Sequence, residues 1–115
     1  MERVFALYRL TQRPEGSKGG LLTAIRSAST SAFAEAGCRS SHIWRDTDDA
    51  GGFLLIEEWE TPQRLEEHMR SPAFRRFLEV LELSESPPEI LYIEGLCLRG
   101  LDWMTQVLGT AGDEG

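Results

Sequence analysis

The chain has 115 residues, 41% apolar and 27% charged, with a formal net charge of −7; this fits one globular domain. The acidic balance and the scattered Lys and Arg disfavour nucleic acid and anionic membrane surfaces as partners. No apolar run is long enough to cross a bilayer, MERVFALYRLTQR lacks a signal-peptide pattern, and Cys38 and Cys97 make neither a disulfide framework nor a zinc motif. A reducing cytoplasm is the expected location.

Val4 to Leu10 reads as a first strand, apolar on both faces, followed by the Pro/Gly/Ser loop QRPEGSKGG. Leu21 to Ala36 has helical spacing (Leu21, Leu22, Ile25, Ala28, Ala32, Ala36), with Gly37 where a C-terminal stop is expected. Arg39 to Asp46 alternates as a second strand, with Ser40, His42 and Trp44 on one face and Ser41, Ile43 and Arg45 on the other. The TDDAGG turn leads into Phe53 to Glu60, where Phe53, Leu55, Glu57 and Trp59 share a face opposite Leu54, Ile56, Glu58 and Glu60.

Thr61-Pro62 and Ser71-Pro72 each start a helix, with a capping hydroxyl followed by proline at the first position. Leu65 and Met69 are expected to face inward on the first; Phe74, Phe77, Leu78 and Leu81 form the apolar stripe of the second. Glu89 to Leu98 reads as a fourth strand, apolar on both faces, and Leu101 to Leu108 as a short helix or strand extension before a disordered tail. Residues 1–98 thus form the domain and 99–115 a C-terminal extension. The order is the α+β, ferredoxin-like βαββαβ plan with a split second helix and a four-stranded antiparallel sheet. Helices cover one sheet face; the simplest cover for the other apolar face is a second copy, so a homodimer is expected.

The stretch FLLIEEWETPQRLEEHMRSPAFRRFLEVL resembles the antibiotic biosynthesis monooxygenase (quinol monooxygenase-like) domain family, through Glu57, Glu58, Trp59, Leu65, His68, Ser71 and Phe74; Gly37, Cys38, Arg45, Asp46 and Pro87 to Glu89 extend the likeness. The resemblance implies a dimeric α/β barrel with two sheets back to back, a cleft between each sheet and its helices, and cofactor-independent oxygenation of an aromatic phenol, quinol or polyketide-like substrate. It also implies a place for Trp59 at the cleft. The haem-degrading branch uses an Asn and an axial His that align with Tyr8 and Leu78, and the chain contains no asparagine; haem degradation is a third reading, one that lacks both marks of that branch.

Such an oxygenase needs a base, a donor to the developing oxyanion and a dry pocket. Trp59, His42, His68 and Tyr8 are the catalytic candidates, and Trp59, Glu57, Arg45 and Phe74 the substrate-binding ones. The catalytic candidates each have a structural alternative: Trp59 as core packing, Tyr8 as a core or dimer-interface tyrosine, His42 as a packed or hydrogen-bonded strand residue, and His68 on a solvated helix face beside Arg64, Glu66 and Glu67. Glu57, on an apolar face, requires a partner such as Arg9 or Arg45. Glu58 and Glu60 point away from Glu57, so no metal site is expected, and no bound cofactor. Cys38 reads as packed rather than reactive. A non-catalytic small-molecule-binding or interaction domain on the same scaffold is the alternative.

Overall fold

The computed structural model describes residues 3–13, 20–95 and 99–114, with side chains described through residue 109 in the last segment. Its elements are β1 (Val4–Thr11), α1 (Gly20–Phe33), β2 (Cys38–Arg45), β3 (Gly52–Trp59), α2 (Pro62–Met69), α3 (Pro72–Glu82), β4 (Glu89–Glu94) and α4 (Leu101–Glu114). The strands form one antiparallel sheet in the order β2-β3-β1-β4. This is the expected ferredoxin-like plan. Part of the anticipated first loop (residues 14–19) and the last three residues of the anticipated fourth strand (96–98, including Cys97) lie outside the described residues.

The pleat divides the sheet. On the inner face, Val4 pairs with Trp59, Ala6 with Glu57, Tyr8 with Leu55 and Leu10 with Phe53, and all eight side chains are buried. The outer face carries Phe5, Leu7, Leu54, Ile56, Leu91 and Ile93. In the single chain the outer side chains of β1 are half-buried, and β4 is largely exposed on both sides.

The helices seal the inner face through the devices visible in the sequence. Thr61 accepts a hydrogen bond from the Arg64 amide at 3.2 Å and Ser71 from the Phe74 amide at 3.3 Å, each ahead of a proline. Leu65 of α2, Phe74, Phe77 and Leu81 of α3, and Leu21, Ile25 and Ala32 of α1 complete the core. The end of α3 is tied to β1 by the Thr11 amide donating to Ser84 Oγ at 2.9 Å and the Glu85 amide donating to the Thr11 carbonyl at 2.8 Å.

The C-terminal segment differs from expectation: α4 runs through Glu114, where a disordered tail was expected after Leu108. Leu101, Trp103, Met104, Val107 and Leu108 are all exposed, and Arg99 lies over the Trp103 ring at 5.1 Å. This projecting helix helps explain a radius of gyration of 17.3 Å, against roughly 13 Å for a compact chain of this length. No described helix is long and apolar enough to cross a membrane.

Gly37 ends the turn after α1 at φ +94°, and a Cβ there would sit 2.6 Å from both Cβ and Cγ of Arg64. Its carbonyl accepts from the Glu60 amide at 2.8 Å, fastening the start of β2 to the end of β3. Gly37→Ala is expected to lower stability by about 1–3 kcal/mol, measured as a lower urea midpoint at unchanged m-value.

Candidate functional site

The inner row of the sheet reads Ser41, Glu57, Ala6, Tyr92 across β2, β3, β1 and β4. Ala6 is the small member between two polar side chains. Glu57 is 2% exposed and Tyr92 39%, so the row runs from the closed interior to the open edge of the sheet. Over its closed end sits an aromatic cluster: the His68 ring stacks on Trp59 at 4.6 Å and 28°, and Phe74 meets His68 edge-on at 5.4 Å. Toward the open end, Tyr8 packs edge-on against Phe77 at 4.7 Å, and its hydroxyl shares a hydrogen bond with that of Tyr92 at 3.1 Å.

The polar groups are linked. Trp59 Nε1 donates to Glu57 Oε1 at 3.1 Å. Strand alternation brings them together, since residues two apart lie on one face. His68 Nδ1 lies 2.7 Å from Glu35 Oε2, in the turn after α1. A carboxylate only accepts, so in the neutral ring the proton sits on Nδ1 and Nε2 keeps its lone pair.

Desolvation dominates the electrostatics. Burial pushes the Glu57 carboxyl up to about 7, with the Glu35 charge adding to the rise and the Trp59 N–H opposing it. Burial likewise raises Tyr8 far above the ordinary phenol range, helped by its bond to Tyr92, so the Tyr8 hydroxyl stays protonated. The Cys38 thiol is pushed up to about 12, also chiefly by burial, which makes it a poor nucleophile at neutral pH. Among the described residues, no His/Cys/Asp/Glu group is arranged to hold a metal.

Five of the sequence candidates converge here: Trp59, His68, Tyr8, Glu57 and Phe74. Two do not. His42 is on the outer face, exposed, with its ring 6.4 Å from that of Trp44. Arg45 shares the inner face but lies at its far end, over Phe53 at 5.4 Å.

Three expectations need correction. Trp59 is 0% exposed: it lies in the interior with the His68 ring stacked on it, where the resemblance implied a place at the cleft. His68 is 4% exposed, not on a solvated helix face; the local sequence concealed this because its charged neighbours point outward. Glu57 is partnered by neither arginine. Arg9 is on the opposite face, donating to Asp46 at 2.7 Å, and Arg45 lies two inner rows away.

Sequence reasoning missed Glu35 and Tyr92. Helical spacing continues to Ala36 and so places Glu35 within α1, whereas the helix ends at Phe33. Tyr92 is a strand tyrosine that acquires meaning only from its pairing across Ala6. A separate groove of about 360 Å³ runs between α1 and α3, lined by Ala24, Ala28, Val80 and Phe77 among others.

A family model described as antibiotic biosynthesis monooxygenase matches residues 4–80. Among solved structures, Rv0793 from Mycobacterium tuberculosis aligns with a TM-score of 0.74 at 26% identity, over 85% of this chain and 99% of that one. PA3566 from Pseudomonas aeruginosa aligns at 0.71 and 25%, over 84% and 97%. A Deinococcus radiodurans protein named as a candidate antibiotic biosynthesis monooxygenase gives 0.76 at 18%, over 85% and 97%, a likeness of fold alone. No curated protein matches the chain.

The buried carboxyl has a measurable signature. With its pKa raised from 4.5 to about 7, Glu57 binds more proton in the folded than in the unfolded state between those values. Its contribution to stability is greatest below pH 4.5 and is lost as pH rises through 7. Glu57→Gln keeps an acceptor for Trp59 and removes this dependence. The variant is expected to exceed the wild type in stability by about 2–3 kcal/mol at pH 8, read from urea unfolding at pH 5 and pH 8.

Proposed function

The chain belongs to the antibiotic biosynthesis monooxygenase family, and from that premise we propose that it oxygenates an aromatic phenol or quinol with O2, with Glu57 as the base. The observation that carries this reading is a carboxyl raised to about 7 on a dry face walled by aromatic rings, since a general base works best with a pKa near the working pH. The substrate approaches from beside Tyr92, at the open end of the inner row. Glu57 takes the phenolic proton. Of the hydrogen-bonded Tyr8–Tyr92 hydroxyl pair, the one whose proton is not given to the other supplies an O–H donor for the phenolate oxygen.

The electrons come from the substrate. The phenolate passes one electron to O2, and the resulting pair recombines with a new C–O bond at a ring carbon that carries hydrogen, giving a hydroperoxide once the proton returns. Loss of that carbon's proton then breaks the O–O bond. One oxygen remains as a quinone carbonyl and the other leaves as water. Per turnover, one phenol and one O2 become one quinone and one water. The protein supplies a proton acceptor, donors to the oxyanion and exclusion of bulk water.

Purified protein is expected to consume O2 on addition of hydroquinones or anthrones, with equimolar quinone appearing by absorbance. Glu57→Gln is expected to lower kcat by about 100-fold or more and to abolish the limb of the pH profile near 7. Absence of substrate-dependent uptake across both substrate classes would overturn the reading.

The outer sheet face supports a further part of the proposal, a homodimer built sheet against sheet. Leu7, Leu54, Ile56 and Leu91 form its apolar centre; Leu91 is exposed and the other three are half-buried in the single chain. Wild-type protein is expected to sediment as a dimer and Leu91→Asp as a folded monomer; a wild-type monomer at micromolar concentration would remove the dimer from the proposal.

A further inference from the structure

The inner polar groups form a chain that starts at the surface. Glu35 side-chain exposure is 28% and that of His68 is 5%, so the carboxylate bridges solvent to a ring that is otherwise enclosed. An exposed ion pair of two flexible side chains contributes little. Here one partner is buried, the separation is 2.7 Å, and the ring is also held face-on by Trp59 and edge-on by Phe74. An anchored imidazole cannot turn about its Cβ–Cγ bond. Trp59, stacked on it, keeps its N–H on Glu57 Oε1. Glu57 itself has three side-chain torsions, and Trp59 Nε1 is the hydrogen-bond donor the structure gives it.

We propose that Glu35 and His68 are positioning residues for Glu57: Glu35 sets the plane of the imidazole, the imidazole holds the Trp59 indole, and the indole N–H fixes the carboxyl that takes the substrate proton. The kinetic consequence rests on the oxygenase reading; the positional one does not. Other charged groups nearby are engaged elsewhere: Arg64 with Glu67 at 3.2 Å, and Glu58 with Arg3 and Arg39 at 3.3 Å. Cys38, on the neighbouring strand, gives its S–H to the Ser40 carbonyl.

The test uses the full chain carrying Trp44→Phe and Trp103→Phe, so that Trp59 is the one indole. Its N–H resonance is expected to exchange slowly with solvent and to shift with pH as Glu57 ionises near 7. Glu35→Ala is expected to speed that exchange at least about ten-fold and to flatten the shift. With an active substrate it should lower kcat roughly 10- to 100-fold at nearly constant KM. Glu35→Gln, which keeps an oxygen acceptor, is expected to restore most of each effect. An unchanged resonance in Glu35→Ala, or equal impairment of the Gln and Ala variants, overturns the proposal. Should Glu35→Ala fail to fold, His68→Phe keeps the stack without the anchor, and unchanged exchange in that variant overturns it equally. If no substrate drives O2 uptake, the oxygenase reading falls while the indole measurement still decides this one.

Discussion

A fully buried indole must satisfy its N–H, and much of this molecule is arranged around that need. Trp59 has no exposed surface, and an unpaired N–H there would cost on the order of 1–3 kcal/mol. The acceptor is Glu57, two residues earlier on the same strand face. The solution carries its own penalty: a carboxyl placed beside an indole in the core loses water, and its proton affinity rises by more than two orders of magnitude, from 4.5 to about 7. One hydrogen bond thus satisfies the tryptophan and generates a group with the proton affinity of a base working at neutral pH.

The helices are placed to serve that bond. The Ser/Thr-Pro breaks set α2 and α3 as short, sharply started segments, and this lets α2 turn His68 inward beside Leu65 while α3 directs Phe74 and Phe77 onto the same cluster. Gly37 permits the close approach of the α1–β2 turn to Arg64. That turn carries Glu35 to within 2.7 Å of the imidazole. Residues from the turn, β3 and α2 meet at one point, while the opposite end of the inner row, at Tyr92, remains open to solvent.

The apolar pattern was legible as elements but not as surfaces. Strand alternation in β3 separates Glu57 and Trp59 from Glu58 correctly, because it depends only on backbone geometry. It also separates His42 from Arg45. What alternation cannot say is which face the helices cover; that depends on crossover connections among all four strands. The same limit applies to His68. Arg64, Glu66 and Glu67 dominate its neighbourhood in sequence, yet on an eight-residue helix the inward stripe is narrow, and His68 falls on it with Leu65. The length of α4 is hidden from local pattern for a related reason: Gly109 and Gly112 lower helix propensity without forbidding the helix seen to Glu114.

From its residues alone, then, this protein determines the ferredoxin-like element order, the capped breaks before α2 and α3, and the same-face pairing of Glu57 with Trp59, because each follows from interactions within a few residues. The family likeness is carried by the same local run. Only the tertiary structure decides that His68 is inside, that Glu35 anchors it, that Tyr92 stands across Ala6 from Glu57, and that both arginines proposed as partners of that carboxyl lie elsewhere. Glu35 and His68 are 33 positions apart, and Ala6 and Tyr92 are 86 apart. Such relations arise when strands pair and helices pack, which no local pattern encodes.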